Sequence, residues 1–170
     1  VSLFLVVGTT PFGWNELVRA VDDVARSENL SGSAQIGNGT YEPTALSHER
    51  FVPHDVILEN MRSADITVIH GGLGSIGDAL RNARRLVVAP RTLGIGRHGR
   101  QEAPNDQWPV ALRLAEVYGF DCVPLSQIGS AITSQLERPP QRWSVPTGNA
   151  THLIEEWLAA EGLRINKGPR

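Results

Sequence analysis

Asp65-Ile-Thr-Val-Ile69, then His70-Gly71-Gly72-Leu73-Gly74-Ser75, then Ile76, Ala79, Leu80 and Ala83 at helical spacing: this stretch decides the fold. A β-branched apolar run of strand length is what a strand buried on both faces of a parallel sheet requires. A glycine turn running straight into an amphipathic helix completes a βα unit. Leu86-Val-Val-Ala89, stopped by Pro90, supplies the next strand. Towards the N-terminus the same alternation holds. Ser2-Leu-Phe-Leu-Val-Val7 ends at Gly8-Thr9-Thr10, and Trp14, Leu17, Val18, Val21, Val24 and Ala25 follow at helical spacing. Residues Ser33 to Ile36 read as a short strand, Gly37 to Pro43 as a loop, and His54 to Ala64, with Val56, Ile57, Leu58 and Met61, as a helix. Beyond Pro90, Arg91 to Asn105 reads as a long loop, Asp106 to Tyr118 as a helix, Asp121 to Val123 as a strand and Gln127 to Leu136 as a helix. Strands alternating with helices predict an α/β, doubly wound, Rossmann-like parallel sheet. Residues 1–137 form that domain in this reading. Residues 138–148, rich in proline, are a linker, and 149–170 are a C-terminal helix and tail with Leu153, Ile154, Trp157 and Leu158 on one side.

The chain's 170 residues suit one domain, and 41% hydrophobic content with 17 glycines is globular rather than disordered. Its one cysteine, Cys122, forms no internal bridge, and no signal-like segment opens the chain, so a reducing, cytoplasmic setting is expected. No apolar run approaches the roughly 20 residues of a membrane span. A net charge of −2 lacks the basic footprint of a nucleic-acid binder. The five histidines have no metal-ligand spacing and there is no DxD pair, so no metal or other cofactor is expected.

In an open parallel sheet the ligand sits outside the carboxyl ends of the strands, where the loops at Gly8, His70 and Arg91 emerge. The turn containing Gly72, Gly74 and Ser75 lets the backbone approach a ligand closely, and a helix start offers free N–H groups and a positive dipole end to a phosphate. Gly72-Leu-Gly-Ser-Ile-Gly77 also fits the dinucleotide pattern GxGxxG, the basis for a nicotinamide oxidoreductase alternative. That pattern belongs to the first βα turn and wants an acid at the end of the next strand, which here ends Ala89-Pro90-Arg91. Asp78 reads as a first-turn carboxylate, suited either to the helix dipole or to ribose hydroxyls. Arg81, Arg84, Arg85, Arg91, Arg97 and Arg100, with His98 and no carboxylate between them, form a cationic stretch. Such a stretch either holds a diphosphate or an anionic lipid head group, or is a solvated face.

Val6-Val-Gly-Thr-Thr10, Gln35-Ile-Gly37 with Tyr41-Glu-Pro43, Ala64-Asp65 through Asp78-Ala79, and Val88-Ala-Pro-Arg91 together resemble the family 28 glycosyltransferase C-terminal domain. Within it the chain is most similar to the soluble subunit of bipartite bacterial exopolysaccharide transferases, related to the catalytic subunit of the dolichol-linked N-acetylglucosamine transferase. The resemblance implies the donor-binding half of a GT-B enzyme: inverting transfer from a UDP-sugar to a lipid-linked acceptor, with a membrane-bound partner subunit holding the chain at the inner face of the membrane. It implies that Gly8, Thr9, Thr10, Gly74, Ser75, Asp78, Asn105 and Gln107 bind the donor, and the glycine turn and the arginine at the strand end add Gly72 and Arg91 to that set. Asp78 replaces the family's usual ribose-binding glutamate, and Asp106 replaces a histidine beside the matching Gln107. The candidates for the catalytic base are His70 and Asp106. The alternative is a nucleotide-binding or regulatory domain of the same fold without turnover.

Overall fold

The computed structural model describes residues 1–92 and 106–145. The expected C-terminal helix of 149–170, Asn105, and Arg97, His98 and Arg100 of the cationic stretch lie outside the described residues.

All strand pairs are parallel, and the six strands lie in the order β3-β2-β1-β4-β5-β6. These are β1 (Ser2–Val6), β2 (Ser31–Gln35), β3 (Ser47–Glu49), β4 (Ile66–His70), β5 (Leu86–Ala89) and β6 (Asp121–Cys122). The alternation of side chains along β1 sorts the core into two layers. Leu3, Leu5 and Val7 face α1 (Asn15–Ser27) and α5 (Ile128–Glu137), meeting Leu17, Val18, Val21 and Ile132. Phe4 and Val6 face α2 (His54–Ser63), α3 (Leu73–Asn82) and α4 (Trp108–Tyr118), meeting Met61, Ile76, Leu80 and Ala111. With both faces covered, β4 is buried along its whole length, Thr67 and His70 included, as its β-branched run predicts.

Two features were not legible in the pattern. β3 reads Ser-His-Glu and is exposed throughout, so no apolar period marks it; parallel pairing with Ser33, Ala34 and Gln35 of β2 alone defines it. The crossover from β2 to β3 contains no helix. Asp22 of α1, with no exposed surface, holds it instead. Its carboxylate accepts hydrogen bonds from the Thr44 and Ala45 N–H groups at 2.8 to 3.1 Å and from the Tyr41 hydroxyl at 2.8 Å. Burial alone would raise the Asp22 pKa, but these donors, with Arg26, outweigh it and hold the carboxyl below its ordinary value.

Residues 138–145, read as linker, lie against the domain. The Gln141 N–H donates to the Arg84 carbonyl at 2.8 Å, and Trp143 and Val145 pack on the second core layer.

Candidate functional site

The chain steps outward from β1 to β3 and then returns to place β4 beside β1, so the sheet's switch point lies between these two strands. The turns after β1 and β4 flank it, and His70, the last residue of β4, ties them together. Gly8 has φ +81, a region that favours glycine, and a Cβ there would stand 2.6 Å from Cε1 and 2.7 Å from Nε2 of the His70 ring. A Cβ on Gly72 would meet His70 Nε2 more closely still. Glycine at both positions is therefore the space that the imidazole fills. His70 as a whole is 7% exposed. Burial, reinforced by the Arg91 charge and opposed by the Val6 backbone, pushes its pKa down to about 4, so His70 is neutral across the ordinary pH range. A buried base of that strength is poorly suited to deprotonating an acceptor hydroxyl near neutrality. The geometry makes His70 a spacer between the two turns.

Gly71 packs on Pro90, its Cβ position 2.8 Å from the proline Cβ. α3 then begins at Leu73, with Gly72 as N-cap and no side-chain cap, and Ile76 is the first residue to donate back along the helix, to the Gly72 carbonyl at 2.9 Å. The N–H groups of Leu73, Gly74 and Ser75 are thus free of intrahelical acceptors. Gly74 is exposed, with nothing within 4 Å of its Cβ position. This early start corrects the placement of Asp78: it lies in the second turn, beyond the last free N–H, so the dipole reading does not hold. Its carboxylate instead receives His54 Nε2 of α2 at 2.8 Å, with the Asp78 side chain 30% exposed.

Arg91 also departs from expectation. At 4% exposure its guanidinium turns under the β1 turn, donating to the Gly13 carbonyl at 2.6 Å and the Val7 carbonyl at 3.1 Å and lying 4.9 Å from the Trp14 ring centroid. A buried guanidinium needs acceptors, and two loop carbonyls provide them. Gln107 fastens this arrangement: its Oε1 accepts from the Arg91 N–H and its own N–H donates to the Arg91 carbonyl, both at 3.0 Å. Arg91 and Gln107 hold the turn from below. Asp106 is exposed, and its Oδ1 accepts from the Trp108 N–H at 3.0 Å at the start of α4. Thr9 is exposed and Thr10 partly so, both in the β1 turn.

Sequence reasoning assigned Gln35 no role, although a polar residue closing an otherwise buried strand end was visible in Ala34-Gln35-Ile36. It is 2% exposed, and its Nε2 donates to the Gly8 carbonyl at 3.3 Å. Gln35 Oε1, Thr10 Oγ1 and His70 Nδ1 are buried polar atoms without a partner among the described residues, and all three belong to the carboxyl-end rim of β1, β2 and β4. Thr67 Oγ1 and Trp143 Nε1 share that condition elsewhere in the fold. Among the described residues no group of His, Cys, Asp or Glu has the clustering to hold a metal ion. No helix among them is long and apolar enough to cross a membrane.

A parallel sheet in the order 3-2-1-4-5-6, with glycine turns on both sides of its switch point, is the doubly wound class of nucleotide-binding folds. Residues 2–137 match the glycosyltransferase family 28 C-terminal domain, and the chain belongs to that family. In an alignment of 97 residues that covers 51% of this chain, it is 33% identical to the human UDP-N-acetylglucosamine transferase subunit ALG13, of which it spans only 8%. Its fold is shared by CalG4, the calicheamicin glycosyltransferase (TM-score 0.56, 19% identity), over 81% of this chain and 34% of that one. SnogD of Streptomyces nogalater, also a glycosyltransferase, shares it likewise (TM-score 0.55, 14% identity, 80% of this chain and 34% of that one). The chain thus corresponds to about a third of these enzymes.

Proposed function

We propose that this chain is the donor-binding, catalytic subunit of a glycosyltransferase that takes a UDP-sugar and completes its active site with a partner. The observation that carries the reading is the pair of glycine turns about His70, with the uncapped start of α3 opening on the same crevice. The name of the human relative, a UDP-N-acetylglucosamine transferase subunit, supports a UDP-linked N-acetylhexosamine as donor and a heteromeric enzyme. The free N–H groups of Leu73, Gly74 and Ser75 face the diphosphate, with Gly8, Thr9 and Thr10 closing the other side. Asp78, oriented by His54, accepts from the ribose, and the family resemblance assigns Asn105 to the donor sugar. Gln107 and Arg91 act by positioning.

Transfer proceeds with inversion. The acceptor hydroxyl attacks the anomeric carbon, the bond to the diphosphate oxygen breaks, and the charge developing on the leaving group is met by the α3 N-terminus. The hydroxyl proton passes to a carboxylate, for which Asp106 is this chain's candidate. No step calls for a metal. The acceptor is lipid-linked, and the partner brings the chain to the inner face of the membrane for polysaccharide synthesis in a bacterial setting.

Calorimetry tests the donor assignment: binding of UDP-N-acetylglucosamine or UDP-glucose with no response to NAD is expected, and tight NAD binding without response to any UDP-sugar overturns it. Asp78→Ala weakens UDP binding and leaves thermal unfolding nearly unchanged; collapse of the fold with unchanged affinity in the folded fraction removes the ribose role. The engagement of the Asp106 carboxylate by its own helix favours a second reading, a nucleotide-binding domain without turnover. Radiolabelled sugar transfer in the presence of the membrane partner separates the two.

A further inference from the structure

The parallel sheet has a second pole, and the chemistry there is unlike that of the glycine turns. Between the C-terminal ends of α2 and α3, the approach to β5 and residues 140–143 lies a cavity of about 560 Å³, a size suited to a small organic ligand. Its walls carry Arg62, Arg81, Arg84 and Arg142, and no carboxylate lines it among the described residues. Leu80 and Trp143 supply an apolar side, and the Trp143 indole N–H is buried with no acceptor among the described residues.

Part of this charge has a local explanation. Arg62 and Arg81 stand in the last turns of α2 and α3, where a cation offsets the negative helix end. Arg62 is further tied to Asn82 Oδ1 at 2.9 Å and to Glu59 at 3.3 Å, and Arg81 donates to the Gly77 carbonyl at 3.1 Å. Arg84 and Arg142 follow no such rule. Arg84 meets Asp65 only at 4.0 Å, across an exposed gap, and Arg142 has no partner among the described residues. The cavity wall is nevertheless fixed, because Gln141 between them is anchored to the Arg84 carbonyl at 2.8 Å and the Tyr118 carbonyl at 3.2 Å. Two exposed guanidinium groups without a short protein partner among the described residues, on an anchored wall, with two more arginines and an aromatic ring lining the same cavity, fit an anion with several oxygens and an attached organic group.

We propose that this cavity is a phosphate-group site distinct from the donor site, taking a phosphomonoester or diphosphate, either of a soluble organic phosphate or of a phospholipid head group. Arg84 and Arg142 are its recognising pair. The cationic stretch around residues 81–91 is thereby divided: Arg91 supports the β1 turn, Arg85 bonds the Asp65 and Arg138 carbonyls, and Arg81 and Arg84 turn to the cavity.

The test uses the full chain, isotope-labelled, with the Trp143 indole N–H as a local reporter. Titration with pyrophosphate at low salt is expected to shift that resonance saturably, and Arg84→Gln/Arg142→Gln to weaken the response at least tenfold without altering UDP-induced shifts at Gly8 and Gly74. In parallel, flotation with phosphatidylcholine vesicles with and without phosphatidic acid identifies the source. Capture by phosphatidic acid, lost in the double variant, assigns a lipid head group, and pyrophosphate saturation without capture assigns a soluble phosphate. No saturable Trp143 response together with no phosphatidic-acid dependence overturns the site, as does a response that the double variant leaves intact. Failure of UDP binding leaves this result unaffected, because the two sites lie at opposite ends of the strands.

Discussion

The two turns at the switch point reach the same crevice by opposite means. The turn after β1 occupies residues 7–14 and is held from beneath by side chains from far along the chain: Arg91 on its carbonyls, Gln35 on Gly8, and His70 against Gly8. The turn after β4 is Gly71-Gly72 alone, and it passes at once into a helix whose first N–H groups are uncapped and whose Gly74 faces open space. One turn is built by tertiary contacts and the other by its own sequence. Precision in the first therefore depends on buried polar bonds, and openness in the second depends on having almost no side chains.

Substitutions at the fastened turn should be the more damaging. Gly8→Val places a branched side chain at positive φ and into the His70 ring. Left-handed strain and overpacking together cost about 4 kcal/mol, and chemical denaturation should show a loss of that size. A loss below 1 kcal/mol would mean that the ring moves aside freely. Arg91→Met keeps volume but strips the Val7 and Gly13 carbonyls of their donor, at about 3 kcal/mol for two buried acceptors. Donor affinity should fall with it, since the β1 turn loses its support.

The His70 ring gives the comparison a pH axis. Because its folded pKa is pushed down to about 4 from 6.5, the unfolded chain takes up a proton over a range in which the folded protein does not. Its contribution is fully present above about pH 6.5 and declines as pH falls towards 4, by about 2 kcal/mol at pH 5. Denaturation curves at pH 7.5 and 5 check this, with His70→Asn expected to remove that part of the slope; an unchanged slope in His70→Asn refutes it. The smallest effect belongs to the open turn. Gly74→Ala meets no neighbour and gains helix propensity, raising stability by up to about 1 kcal/mol, while the proposed donor site predicts a fall in UDP-sugar affinity, since there the added methyl would stand in the path of the diphosphate to the backbone.

The same contrast explains what could be read in the sequence. Strands β1, β4 and β5, helix α1 and the glycine turn after His70 are written in local apolar spacing and in glycine, so their types were legible. Arg91's partners lie far back in the sequence, at Val7 and Gly13, and no periodicity announces such a contact. His70 read as a candidate base because a histidine at a strand end beside glycines looks exposed; only the packing of both glycines on the ring shows that it is not. The place of Asp78 turned on where α3 begins: a start at Leu73, one or two residues earlier than a first-turn Asp78 requires, moves it into the second turn, and glycine-rich helix entries do not encode that boundary. β3 had no apolar residue to reveal it.

That short edge strand has a consequence for how this protein associates. β3 spans only Ser47–Glu49, carries His48 and Glu49, and is fully exposed; at the opposite edge β6 is just Asp121–Cys122. Brief, polar borders offer too few backbone groups for a neighbouring chain to add a strand, a common route to both domain swapping and fibre growth. Assembly through these described surfaces must then use helices and loops, and the sheet is protected from adding to a second copy of itself.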